Sequence, residues 1–251
     1  MKTRFLLFLA ISLLLIIGFS FCKKGSPTGP DGGDQGFTLF LENFNDRQYN
    51  FIRLTSNAPV VLADTYTDDG KGGYALRRHL ETGLFNPFPT SQVFEMVQIT
   101  GLDTGSFRIR SRFRLVHSID NNNEASFGIF FANQGFLSSS RIEYKTKITP
   151  LTGQTLTLDT VSAGGAPSHK EVGIPGSFDP YSFFTLTLDG NPSKGTVNAV
   201  IEHSSGSFQV SITDAFPGGV KLELTGLDFG LLNTPGSSYV VDVDDFIVQR
   251  R

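Results

Sequence analysis

Residues 107–115, FRIRSRFRL, alternate with a period of two: Phe107, Ile109, Phe113 and Leu115 fall on one side, and Arg108, Arg110, Arg112 and Arg114 on the other. Successive side chains of an extended chain point in opposite directions, so this pattern dictates a strand with one dry and one wet face. Residues 141–149, RIEYKTKIT, repeat it, with Ile142, Tyr144 and Ile148 against Arg141, Glu143, Lys145 and Lys147. The run 125–132 is apolar on both sides, and Asp120-Asn121-Asn122-Asn123 before it has turn composition. A hairpin of 107–115 with 125–132 is therefore expected.

Further strands are expected at 155–161, 183–188, 196–202, 208–213, 220–225 and 239–249. Turn residues separate them, as in Asp189-Gly190-Asn191-Pro192 and Pro217-Gly218-Gly219. The 27 Gly and 12 Pro supply such turns, and 24 Phe suit strands and core. Residues 91–99 read as either helix or strand, and no segment offers three turns of convincing helical spacing. There is no internal repeat of about 20–50 residues. The sequence thus predicts an all-β protein, a two-sheet antiparallel sandwich, with 37–251 as one domain.

The N-terminus carries an address. Met1-Lys2-Thr3-Arg4 is positive, 5–21 is uncharged and apolar, and the chain's single cysteine, Cys22, follows. This resembles a bacterial lipoprotein signal: 1–21 as signal peptide, Cys22 as the lipidated residue, and 22–36 as a flexible tether rich in Gly, Pro and small polar residues. The residues before Cys22, Phe19-Ser20-Phe21, depart from the usual lipobox at Phe21. An uncleaved anchor would be short, since a membrane-spanning helix needs about 20 residues. Lys23 rather than Asp after the cysteine implies an outer-membrane or cell-surface location where two membranes exist.

Three motifs carry a second resemblance: Phe40-Leu41-Glu42-Asn43-Phe44-Asn45-Asp46, Gly73-Tyr74-Ala75-Leu76-Arg77, and Val241-Asp242-Val243-Asp244-Asp245-Phe246-Ile247-Val248. Together they resemble the concanavalin-like jelly rolls, including laminin-G-like and carbohydrate-binding modules. That resemblance implies first and last strands side by side and a structural Ca²⁺ where they meet, with Glu42, Asp46, Asp242, Asp244 and Asp245 as candidate ligands. Asp242 and Asp244 share a strand face, whereas Asp245 lies on the other, so one ion would need a bend there. The segment 64–70, DTYTDDG, looks superficially like an ion-binding loop but reads as a plain turn.

A net charge of −3 excludes a generally basic nucleic-acid binder. Against that balance, 101–150 holds seven Lys or Arg and four acids. Arg108, Arg110, Arg112, Arg114, Arg141, Lys145 and Lys147 would form one basic stripe if their strands shared a sheet. Guanidinium forks suit carboxylate, sulfate or phosphate, so an anionic envelope glycan is a sensible ligand. The absence of Trp, with only six Tyr, limits aromatic stacking on sugars. Phe85-Asn86-Pro87-Phe88-Pro89 is a candidate partner-gripping loop. Neither a Glu-x-Asp-x-x-Glu run, a Gly-x-Ser-x-Gly elbow nor a His-Glu-x-x-His site is present. The reading is a cell-envelope lipoprotein with a non-catalytic, lectin-like sandwich that meets the membrane through its lipid. The alternatives are a structural or adhesive module with an envelope protein partner, and a glycan hydrolase.

Overall fold

A computed structural model describes residues 37–56, 60–82, 90–119, 124–133, 139–147, 154–161, 167–213, 215, 221–232 and 238–251. The expected loop at 85–89, the signal segment and Cys22 lie outside these residues. Among the described residues fifteen strands run in chain order: β1 (Phe37–Glu42), β2 (Ile52–Ser56), β3 (Val60–Asp68), β4 (Tyr74–Thr82), β5 (Thr90–Gln98), β6 (Phe107–Ile119), β7 (Glu124–Ala132) and β8 (Ser139–Lys147). There follow β9 (Gln154–Val161), β10 (Ser168–Ile174), β11 (Phe184–Asn191), β12 (Thr196–His203), β13 (Gly206–Ile212), β14 (Leu224–Leu232) and β15 (Ser238–Arg250).

They form two antiparallel sheets. Sheet A has the order β13-β12-β11-β6-β15-β4-β3, with β1 also paired to β15; sheet B has the order β10-β9-β8-β7-β14-β5-β2. The first and last strands lie side by side, Glu42 opposite Phe246, as the terminal motifs imply. The alternation at 107–115 is realised in β6, whose Phe107, Ile109, Phe113 and Leu115 are all buried.

The expected hairpin is not formed. β6 pairs with β11 and β15 in sheet A, while β7 pairs with β8 and β14 in sheet B. The chain crosses between sheets after β6, and a pattern of wet and dry faces cannot tell such a crossing from a hairpin. The ambiguous 91–99 segment is strand β5, and most of the expected turn at 64–70 is strand β3. The turn itself follows β3. Asp69 accepts backbone bonds from Lys71 at 2.7 Å and Gly73 at 2.9 Å, and Gly70 and Gly72 supply positive φ.

Between the sheets lies an aromatic-rich core. Phe113, Phe127, Phe184 and Tyr239 pack there with ring centroids 5.3–6.4 Å apart, and the Tyr239 hydroxyl donates to the Ser126 carbonyl at 2.9 Å. At the end nearer β1, Phe40 meets Phe51 and Phe246 edge to face.

Among the described residues a charged cluster spans this interior. Arg78 and Glu95, both fully buried, bond to each other between the sheets. Arg78 Nε also donates to Asp64 Oδ1 at 2.8 Å, Asp64 Oδ2 accepts from Arg53 Nη2 at 2.6 Å, and Arg53 Nε donates to Glu95 Oε1 at 2.9 Å. The result is a closed ring of alternating charges that ties β2 and β5 of sheet B to β3 and β4 of sheet A.

Candidate functional site

The seven basic candidates do not form one stripe. Arg108, Arg110, Arg112 and Arg114 stand on the outer face of sheet A, whereas β8 with Arg141, Lys145 and Lys147 belongs to sheet B. A polar strand face reports contact with water but not which sheet supplies it.

On sheet A the arginines are largely matched. Arg108 grips Asp189 of β11 with two bonds of 2.7 and 2.8 Å. Arg112 bonds to Asp244, and Arg114 Nε donates to Asp242 at 3.0 Å. Arg77 of β4 closes on Asp242 from the other side, at 2.8 and 3.0 Å. Phe183 lies 4.5 Å from the guanidinium carbons of both Arg112 and Arg114, a double cation–π contact.

The candidate calcium ligands are engaged by protein groups. Glu42 accepts from the Phe44 amide at 3.0 Å and from Asn50 at 2.6 Å, and Asp46 caps the Gln48 amide at 2.9 Å. A β-bulge separates Asp244 from Ile247, with Asp245 at φ 52°. The Lys71 ammonium reaches Asp245 at 3.1 Å and Asp244 at 3.8 Å. Burial and the neighbouring Asp245 outweigh Arg112 and Lys71, so the Asp244 carboxyl is pushed up to about 6. Beside it, Asn45, Asp69, Lys71, Tyr74 and Asp245 border an open cleft of about 350 Å³. Among the described residues no three His, Cys, Asp or Glu side chains gather as a metal-binding group. Ca²⁺ needs six to eight oxygens, and these carboxylates already answer arginine, lysine or amide donors.

The outer face of sheet B is built differently. Leu227 and Phe229 of β14 point into the core, which turns Asp228 outward between Gly226 and Gly230. Asp228 is nevertheless 0% exposed, and it accepts from Gln92 of β5 at 3.2 Å. Next to it, Phe94 and Phe130 meet edge to face at 5.3 Å. Phe130 is 1% exposed without belonging to the core cluster. Farther along, Asp159 of β9 meets His169 of β10 at 2.6 Å, and Glu171 lies 3.7 Å from the same ring. The register of β8 sets position 141 opposite Phe130 and Asp159, and position 145 opposite Ser126 and Thr155.

This face therefore carries an amide, a carboxylate and apolar rings at β5, β14 and β7, and an imidazole with two carboxylates at β9 and β10. Sequence reasoning missed Gln92, Phe94, Phe130, Asp159, His169 and Asp228. The available signal was Gly-Leu-Asp-Phe-Gly at 226–230, an acid flanked two residues away on each side by glycine on its own strand face.

No family model matches the sequence, and no curated protein matches it. Solved structures do resemble it. The CBM2 module of the evolved Dit of Lactobacillus casei phage J-1 superposes with a TM-score of 0.61 at 7% identity, covering 86% of this chain and 96% of that chain. The fold is a concanavalin-like jelly roll. The PL-14 alginate lyase of Aplysia kurodai gives a TM-score of 0.51 at 9% identity, covering 75% and 87%. The endo-1,3-beta-glucanase of Streptomyces sioyaensis gives 0.50 at 12% identity, covering 90% and 99%. At such identities the shared property is the fold.

Proposed function

We propose that this chain is an exported, lipid-anchored protein of the cell envelope whose jelly roll binds a glycan, without altering it, on the outer face of sheet B. The observation that carries this reading is the pairing of half-buried Gln92 and Phe94 on this face, held in place from beneath by the buried Asp228 and Phe130. A sugar needs hydroxyl-matching acceptors and donors beside an apolar surface for its ring, and such sites are few on a protein. Proteins of the same fold named for a lyase and a glucanase act on glycans, which supports the ligand class. The signal-like segment 1–21 and Cys22 support the location.

The test is a glycan microarray probed with the wild type and with Gln92→Ala and Phe94→Ala. Wild-type hits that fall at least about tenfold in both variants, while each variant still melts cooperatively above the assay temperature, support the face; loss of one hydrogen bond or ring contact is worth roughly that factor. An array without hits, beside reproducible capture of an envelope protein, favours the adhesive alternative.

One observation favours a second reading. Asp159 meets His169 at 2.6 Å on the outer side of sheet B, with Glu171 3.7 Å from the same ring, and carboxylates with an imidazole are the groups of general acid–base catalysis. Release of reducing ends or of unsaturated sugars from any polysaccharide, abolished in Asp159→Asn, would establish an enzyme.

A further inference from the structure

Charge accounting on the outer face of sheet A leaves one remainder. Arg108, Arg112 and Arg114 each meet a carboxylate from a flanking strand. Among the described residues Arg110 meets none. On β15 its neighbour is apolar, and the bulge there decides which apolar residue that is. Asp244 stands opposite Arg112, and an unbroken ladder would then set Phe246 opposite Arg110. The extra residue turns Phe246 into the core, where it is 0% exposed, and sets Ile247 opposite Arg110. On the other flank Arg110 faces Thr187 of β11.

The row across the sheet at this level is therefore Leu41, Ile247, Arg110, Thr187 and Val200. Leu41 is 43% exposed. A guanidinium without a counter-charge sits in an apolar and hydroxyl row, and the rows above and below hold guanidiniums whose charges are met. The flanking arginines are pinned by their acids and cannot rotate to share an outside anion, whereas the Arg110 fork is available to one.

We propose that this row is a second binding surface, selective for a carboxylated or sulfated polysaccharide whose acid group docks bidentately on Arg110 and whose ring lies against Ile247 and Leu41. The inference rests on the reading that the domain binds glycans, but it uses the opposite face and names the ligand's charge. Bidentate carboxylate or sulfate binding suits an arginine fork, and a partly exposed contact of this kind weakens as salt rises.

The experiment is affinity electrophoresis of the full chain in detergent micelles through gels containing polygalacturonate, dextran sulfate or a panel of neutral glycans, with flotation on phosphatidylglycerol vesicles as a separate arm. The variants are Arg110→Gln and Arg110→Lys, with Lys194→Gln as an equal loss of charge on an exposed turn far along the chain. The expected result is retention of the wild type by a polyanion, about tenfold weaker in Arg110→Gln, partly restored in Arg110→Lys, and unchanged in Lys194→Gln. Neutral glycan retention should be the same in all of them. Equal weakening by Arg110→Gln and Lys194→Gln, or none by either, overturns the inference while neutral retention keeps the sheet B reading alive. No retention of the wild type by any polysaccharide overturns both. Arg110-dependent flotation without polysaccharide retention overturns the polysaccharide in favour of a lipid headgroup.

Discussion

Asp244 sits under Arg112 and beside Lys71, yet burial and Asp245 hold its carboxyl at about 6, above its ordinary 3.8. A carboxyl raised in the folded state binds its proton more tightly there than in the unfolded chain. Its contribution to stability is therefore complete below 3.8 and is lost as pH rises through about 6. Melting curves of wild type and Asp244→Asn between pH 4 and 7 should diverge in slope: the wild type loses stability across that window relative to the variant. Parallel profiles would show that Asp244 ionises normally. A second single-residue prediction concerns Gly226, where a Cβ would lie 1.7 Å from the Glu95 carbonyl oxygen. Gly226→Ala should lower the unfolding free energy by at least about 1–3 kcal/mol in a denaturant titration, because backbone rather than a flexible side chain stands in the way. The same register brings Asp228 out beside Gln92, so a loss of glycan binding in that variant would accompany its instability.

The elements show what was legible in the sequence and what was not. β6 could be read because its apolar and charged residues alternate against a uniform core on one side and a wet face on the other. β3 could not, since Asp64-Thr65-Tyr66-Thr67-Asp68 has no apolar face; Asp64 is held in the strand by Arg78 and Arg53, partners from β4 and β2. β5 was ambiguous because Glu95 interrupts its apolar row, and only the distant Arg78 makes that position a core position. In β14 the outward glycines erase the alternation, and the expected strand at 220–225 falls short of the actual Leu224–Leu232. The ring of Arg53, Asp64, Arg78 and Glu95 joins four of these elements, and breaking it isolates a buried charge. Glu95→Gln or Arg78→Met should each cost about 3–5 kcal/mol, with the double replacement costing less than the sum; additive losses would mean that the pair is not coupled. Burial raises the Asp64 carboxyl, but the bonds from Arg78 and then Arg53 overcome it and hold it below its ordinary value. Its share of stability is present above that ordinary value and is lost as pH falls through the depressed one.

Across the whole molecule, the sandwich places in separate sheets the two basic strands that would form one stripe in a single sheet. The arginines of β6 spend most of their charge on Asp189, Asp242 and Asp244, which ties β6 to β11 and β15, and Arg77 extends the tie to β4. Sheet B keeps its polar groups beside aromatic rings on the side away from that network. The acidic end near β1 and β15 has Lys71 among its carboxylates, so added Ca²⁺ or a chelator should leave the melting midpoint unchanged; a rise with Ca²⁺ that disappears in Asp245→Asn would show the ion displacing the lysine. The central claim is glycan recognition by sheet B, and thermal unfolding of the full chain in detergent against neutral and anionic glycans tests it most directly. A ligand that binds only the folded state raises the midpoint by linkage. The account predicts a rise with at least one glycan for the wild type and none with that glycan for Gln92→Ala combined with Phe94→Ala. A flat response of the wild type to every glycan, or an undiminished rise in the double variant, would contradict it.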